Sequence, residues 1–377
     1  VNVPSAALGR RADGTFTHAA RRALFGASAR GRHPASGWLC SLSEGAPALP
    51  QNEPVTEDFA ARVGALVGVA VAGVQDVGTR HGFRHLTGAL ADGRAVFIKA
   101  AVADGGEAPE AFAAEANGLR WLARAGAVPV PGVLGADGST LVIELLPPGE
   151  PTPGAARDFG AALARMHAAG ANGFGAPWPG YIASLPLDNA PLDTAPLDKA
   201  PPDNAPPGST APDSTPPGSA PLGNPGEADW GSWYAERRLV PFLRRARDGG
   251  ALSAADARPV EAVIGRIGEL AGPPEPPSRV HGDLWAGNVL WPGGQGALID
   301  PAAHGGHRET DLAMLALFGA PYLDEILRTY DATVPLAEGW RSRVPLHQLH
   351  PLLVHACLFG AAYVPQVTAA ARQALRV

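Results

Sequence analysis

Two hydrophobic rhythms divide the chain near residue 147. Before it, apolar and polar positions alternate from Val69 to Val77, from His85 to Leu90 and from Ala95 to Ala100. A period of two is that of half-buried strands. Gly78-Thr-Arg-His-Gly-Phe-Arg84 predicts the turn between the first two strands, and Ala91-Asp-Gly-Arg94 the hairpin between the second and third. Val133-Leu134 and Thr140-Leu-Val-Ile-Glu-Leu-Leu146 predict a further hairpin that runs into Pro147-Pro-Gly149. Helical spacing appears twice in this half, after Thr56 (Phe59, Val63, Leu66, Val67) and from Glu110 to Ala125 (Phe112, Leu119, Leu122). Beyond 147 the helical rhythm dominates, over 155–169, 229–239, 254–270, 312–318, 344–362 and 368–375. The pattern predicts a small sheet-bearing unit at 54–146 and a larger, mainly helical unit at 147–377.

Two stretches carry neither rhythm. Residues 1–53 mix Arg, Ala, Gly, Ser and Pro and read as a disordered extension. From about 186 to 228 a pentapeptide repeats (Pro186-Leu-Asp-Asn-Ala, Pro191-Leu-Asp-Thr-Ala, Pro196-Leu-Asp-Lys-Ala, Pro201-Pro-Asp-Asn-Ala). Proline every five residues forbids helix and interior strand, so this reads as a disordered insertion without catalytic duty.

Candidate chemistry concentrates in Val280-His-Gly-Asp-Leu-Trp-Ala-Gly-Asn-Val-Leu-Trp291, followed by Ala297-Leu-Ile-Asp-Pro301. Asn288 lies five residues after Asp283, and Asp300 seventeen after it, at the end of a short apolar strand. Phosphoryl transfer needs a carboxylate to take the acceptor's proton and oxygen ligands to hold Mg²⁺ against nucleotide phosphates. This spacing supplies Asp283 as base, with Asn288 and Asp300 as metal ligands. Leu284, Val289, Leu290, Leu298 and Ile299 bracket the polar groups, as buried strands would and a surface loop would not.

Composition sharpens one position. Lys99 and Lys199 are the two lysines among 30 basic residues, and Lys99 ends an apolar strand. A compact ammonium suits phosphate oxygens, and Glu115 on the following helix is its expected partner. The glycine turn at Gly78 is a candidate for phosphate contacts through backbone N–H groups. The strand end at Glu144 and Leu146 is a candidate hinge whose backbone would hold an adenine edge. His304, His307, His347, His350 and His355 show no pair with a convincing third ligand, which leaves Mg²⁺ on carboxylates as the expected metal. A net charge of −6 gives no bulk attraction to nucleic acid or an anionic membrane. The longest apolar run, Gly64 to Val74, is too short for a bilayer. Two cysteines, Cys40 and Cys357, exclude a disulfide framework and fit a reducing, cytoplasmic setting.

Taken together, His281-Gly-Asp-Leu-Trp-Ala-Gly-Asn288, Leu298-Ile-Asp-Pro-Ala302, Gly306-His-Arg-Glu-Thr-Asp-Leu-Ala-Met314 and Phe112-x-x-Glu-Ala-x-Gly-Leu119 resemble the fructosamine/ketosamine 3-kinase family. That family is a branch of the aminoglycoside-phosphotransferase and protein-kinase-like fold. The resemblance implies an α+β, two-lobed fold: a small lobe of antiparallel sheet plus helix, and a larger, mainly helical lobe. It implies ATP-dependent phosphorylation, with Mg²⁺, of the sugar C3 hydroxyl of free or protein-bound ketosamines, a deglycation repair activity. It also implies that Trp285, Arg308 and Glu309 flank the sugar, and that His281 and Asp311 anchor the catalytic loop. Asp311 is expected as well to cap the helix that follows it. A monomer is favoured. The Gly78 turn departs from the Gly-Gly-x-x-Asn loop of many relatives, and Trp178-Pro-Gly-Tyr-Ile182 stands where they carry Asp-Asn. Two other readings remain: a kinase of another hydroxylated amine, such as an aminoglycoside, and a nucleotide-binding scaffold that uses the proline-rich segment for docking.

Overall fold

The computed structural model describes residues 57–80, 82–102, 109–192 and 229–376. The extension expected at 1–53 and most of the repeat lie outside them.

Helix α1 (Glu57–Val67) leads into strands β1 (Val71–Arg80), β2 (Phe83–Leu90) and β3 (Ala95–Ala101). Helix α2 (Pro109–Ala123) follows, then β4 (Val133–Ala136) and β5 (Thr140–Glu144). The five strands form one antiparallel sheet in the order β1-β2-β3-β5-β4. Its two faces show the predicted alternation. Val142, Ile98 and Leu86 pack with Phe59 and Val63 of α1, whereas Leu141 and Ile143 pack with Phe112 and Leu119 of α2. Lys99 is out of phase with Ile98, so the strand pleat turns it to the α2 face.

The second lobe holds α3 (Pro153–Ala168), the short hairpin β6 (Gly180–Ile182) and β7 (Leu185–Leu187), and α4 (Trp230–Tyr234). A π-helical turn at Ala235–Leu239 joins α4 to α5 (Val240–Asp248). Next come α6 (Ala254–Gly265), α7 (Ile267–Leu270), β8 (Ser278–Val280), β9 (Val289–Leu290), β10 (Ala297–Leu298) and β11 (His304–Gly306). The chain closes with α8 (Arg308–Phe318), α9 (Leu323–Thr333), α10 (Trp340–Phe359) and α11 (Val364–Ala374). One core joins Phe159, Leu163 and Met166 of α3 to Ile326 and Tyr330 of α9, and takes in Leu284, Val289 and Leu298 from the 280–301 segment. A second gathers Trp230, Trp233 and Leu239 with Leu349, Leu352 and Leu353 of α10 and Val367 of α11.

The stretch Trp340–Ala374 is apolar and long enough to compare with a membrane span. Leu349, Leu352 and Leu353 are nevertheless buried in the lobe core, and the helix ends at Gly360, whose φ is 73°.

Order persists beyond the break expected at 186. Leu187 pairs with Gly180, and Asn189 is buried. The reason is a set of bonds that the repeat pattern does not encode. Arg238 donates to Asp188 O and to Asn189 Oδ1, both at 2.6 Å, and Trp233 Nε1 donates to Ala190 O at 3.1 Å.

Candidate active site

Lys99 joins the two lobes. Its Nζ lies 2.8 and 2.7 Å from the Glu115 carboxylate oxygens and 2.8 Å from Asp300 Oδ1. Burial works against its charge, but the two carboxylates outweigh burial and raise its pKa. Burial likewise pushes Glu115 up, whereas at Asp300 Lys99 outweighs burial and holds the carboxyl below the usual range. Helix α2 can bring Glu115 this close because of Gly118. A Cβ there would lie 3.3 Å from both Pro301 Cγ and Ala303 Cβ. Asp300 itself has a left-handed backbone (φ 54°), a strained choice for a non-glycine residue and one that clusters at functional sites.

Two small ladders pin the 280–306 segment. β8 pairs with β11 (Val280 with His304), and β9 pairs with β10 (Val289 with Leu298). Ile299 N then donates to Asn288 O at 3.1 Å, which sets Asn288 beside the Asp300 turn. Asn288 Nδ2 donates to Asp283 O at 2.8 Å and to Asp283 Oδ2 at 3.2 Å. The amide oxygen is thus the acceptor end of Asn288. Burial, followed by the nearby Asp300 charge, pushes the Asp283 carboxyl up to about 7. That value suits a group that must take a proton near neutrality.

Behind the loop, the buried Asp311 carboxylate accepts from His281 N at 2.7 Å and Gly282 N at 3.0 Å. His167 Nε2 also donates to it at 3.0 Å, and Tyr330 OH lies 2.7 Å from His167 Nδ1. His281 Nε2 meets Ile299 O at 2.8 Å, so its Nδ1 is free to accept from Asp283 N at 3.3 Å. Gly282 is required here. Its φ is 81°, and a Cβ would fall 2.3 Å from Ala302 O.

These groups open onto one cleft of about 460 Å³, lined by Lys99, Glu115, Asp283, Trp285, Asn288 and Asp300. The Trp285 ring lies against Gly287, where an added Cβ would meet it at 2.1 Å. A carboxylate oxygen of Asp300 with the amide oxygen of Asn288 forms a hard, all-oxygen donor pair, which fits Mg²⁺ better than a softer metal.

Several expected positions lie elsewhere. Arg308 is engaged by Glu275 at 2.7 and 2.6 Å and by Pro335 O at 2.9 Å. Glu309 is buried against Arg343 at 3.0 and 2.5 Å. Neither is among the described residues that line the cleft, so both serve ion pairs within the lobe. Gly78 is not a turn tip: β1 continues to Arg80, and Gly78 sits in a bulge where its N–H binds Asp76 Oδ1 at 2.7 Å. Glu144 turns its carboxylate onto Gly132 N at 2.9 Å, and neither it nor Leu146 lines the cleft. The N-cap of α8 is His307 rather than Asp311, because the helix starts at Arg308.

The histidines do find a third ligand. Ligand atoms of His307, Glu309 and His347 lie within 4.8 Å of one another, although the Arg343 fork already engages Glu309. Two groups were not anticipated by the sequence. The first is the His167–Tyr330 support of Asp311. The second is the aromatic set His355, Phe359 and Tyr363 on the far wall of the cleft. A spacing of four residues, repeated once, was the available signal for it.

The fructosamine kinase family profile matches residues 74–194 and 214–377. A protein of Enterococcus faecium named as a probable ketoamine kinase is 30% identical over 260 residues, spanning 68% of this chain and 80% of its own. A crystal structure of a candidate fructosamine-3-kinase from Thermobifida fusca YX-ER1 is 48% identical, with a TM-score of 0.74, covering 86% of this chain and all of that one. A macrolide 2'-phosphotransferase type I shares the fold at 18% identity, with a TM-score of 0.51 over 85% of this chain and 97% of its own. The two-lobed architecture, the ion-paired lysine and these matches agree, and the chain belongs to the fructosamine kinase family, as an ATP-dependent phosphotransferase of α+β, protein-kinase-like fold.

Proposed function

We propose that the protein transfers the γ-phosphoryl group of ATP to the C3 hydroxyl of a ketosamine. The observation that carries this is the convergence of Asp283, Asn288, Asp300 and the Lys99–Glu115 pair on one cleft. Asp283 accepts the hydroxyl proton as the oxygen–phosphorus bond forms and the bond to ADP breaks. Its carboxyl, raised to about 7, is poised to take that proton and later to give it up to water. Asn288 orients Asp283 through Nδ2 and, with Asp300, would hold Mg²⁺, which when bound neutralises charge on the phosphates. Lys99, positioned by Glu115, meets the non-transferred phosphates with a compact charge. Trp285 offers a flat face to the sugar at the mouth of the cleft.

The test is incubation with ATP-Mg and ribulosamine, erythrulosamine and fructosamine adducts, read by the mass of one added phosphoryl group and by NMR assignment of its position. Asp283→Ala should lower turnover by about 10²- to 10⁴-fold. Near-normal turnover in that variant, or a product phosphorylated at another hydroxyl, would refute the assignment.

A further inference from the structure

The wall of the cleft facing the Lys99 side is built differently from the rest. His355 and Phe359 stand one turn apart at the end of α10, and Tyr363 closes the short turn that follows Gly360, which brings its ring back against both. Their rings form a continuous group: 5.6 Å separates the centroids of His355 and Phe359, 4.9 Å those of His355 and Tyr363, and 5.9 Å those of Phe359 and Tyr363. Phe318 of α8 backs the group, 5.0 Å from His355. Phe359 nevertheless keeps 55% of its surface exposed. A lone exposed phenylalanine needs no explanation. Three rings in mutual tilted contact, lining the cavity that holds Asp283, are a different matter, because large apolar surface held open at a site is surface kept for a ligand.

Charge points the same way. Among the described lining residues, the carboxylates are Glu115 and Asp300, both bonded to Lys99, and Asp283, bonded to Asn288; the shelf carries none. A ketosamine phosphorylated at C3 carries its amine nitrogen three bonds away, about 4 Å. The substituent on that nitrogen must therefore leave the reacting centre along a cleft wall.

We propose that this aromatic shelf binds the amine half of the acceptor, and that the preferred acceptors are ketosamines whose amine substituent is flat or apolar. This rests on the ketosamine-kinase reading above, which names the sugar half only. A ring laid on Phe359 and Tyr363 removes apolar surface on both sides from water and gains offset-stacking contacts, whereas a short hydroxylated substituent gains neither.

The experiment compares the ribulosamine adducts of phenethylamine and of ethanolamine, by calorimetric binding and by kcat/KM with ATP-Mg. The proteins are wild type, Phe359→Ala and Phe359→Leu. Phe359 is exposed, so both variants should fold. Wild type should bind the phenethylamine adduct about tenfold more tightly than the ethanolamine adduct. Phe359→Ala should erase that preference, with the loss falling on Kd and KM for the phenethylamine adduct, and Phe359→Leu should keep most of it. Equal affinity for the two adducts in wild type, or an equal loss for both in Phe359→Ala, overturns the shelf. Discrimination in binding with no phosphorylated product from either adduct upholds the shelf and overturns the kinase reading beneath it. Turnover of both adducts without discrimination does the reverse.

Discussion

Asp311 offers the most direct test of how the catalytic loop is held. Its carboxylate receives three donors: His281 N and His167 Nε2 on Oδ2, and Gly282 N on Oδ1. At 1% exposure, no bulk water can replace it. Asp311→Asn keeps the shape but offers one acceptor oxygen. With that oxygen in the Oδ2 position, the new amide confronts Gly282 N–H; flipped, it confronts the other two donors. In the better orientation one buried N–H loses its partner and two bonds lose their charge, for an expected loss of about 2–4 kcal/mol. A domain stable by about 5–15 kcal/mol survives that, so the variant should remain folded at 25 °C. Urea unfolding followed by tryptophan fluorescence measures the difference.

The pH dependence identifies the cause. Burial works to raise the Asp311 pKa, but the His167 bond and the loop amides outweigh it and hold the carboxyl below its ordinary value. A depressed carboxylate contributes stability that is present above the unfolded pKa of 3.8 and is lost as pH falls through the folded one. The gap between wild type and Asp311→Asn should therefore narrow below pH 3.8. Turnover should fall by about a hundredfold from a shifted loop. A variant within about 0.5 kcal/mol of wild type at pH 7 would refute the reasoning, as would a gap that stays constant in acid.

Four further outcomes are expected. The kcat/KM profile should rise through about pH 7 and then level, because Asp283 must be ionised; a rate flat from pH 5 to 8 would remove it as base. The same raised pKa makes Asp283 a stability cost once both states ionise: its contribution is fully present below pH 3.8 and lost as pH rises through about 7, so Asp283→Asn should melt higher than wild type at pH 8. Gly282→Ala should lose about 2 kcal/mol or more, from the left-handed backbone and from the contact with Ala302 O; an unchanged melting temperature counts against that geometry. Arg343→Ala strands the buried Glu309 and should cost about 3–5 kcal/mol, with most of it recovered in Arg343→Met/Glu309→Leu. Full activity in that folded double variant would confirm Glu309 as structural, and its loss would return Glu309 to the substrate.

Local pattern and long-range pairing account for what could and could not be read in advance. The phase of β3 turns Lys99 away from Ile98, so its meeting with Glu115 was legible from strand alternation and helix position alone. The closeness of Asp283, Asn288 and Asp300 was legible too, because eighteen residues carry all three around one short hairpin. Arg308 and Glu309 were not. An adjacent Arg-Glu at a helix start looks the same whether it meets a substrate or, as here, Glu275 and Arg343, each more than thirty residues distant. Gly78 misled for a related reason: a strand bulge and a turn tip both need a residue at positive φ, and here the Asp76 side chain favours the bulge. Helix α9 is absent from the helical stretches read from the sequence, although Leu323, Ile326, Leu327 and Tyr330 recur at helical spacing with charged residues on the opposite face.

Composition carried one conclusion that neither pattern could. A chain that uses arginine almost everywhere retains lysine at 99, and the site shows the physical reason. Two carboxylates from different lobes approach one atom there, at 2.7 and 2.8 Å from Glu115 and 2.8 Å from Asp300. A guanidinium is a planar fork that satisfies one carboxylate with two parallel bonds, as Arg343 does at Glu309. An ammonium directs three donors from a single point and can bridge two acceptors while keeping its charge compact. The lone lysine of the strand is thus the piece that holds helix α2 and the Asp300 turn in one arrangement. In this site, positioning and charge neutralisation come from the same nitrogen.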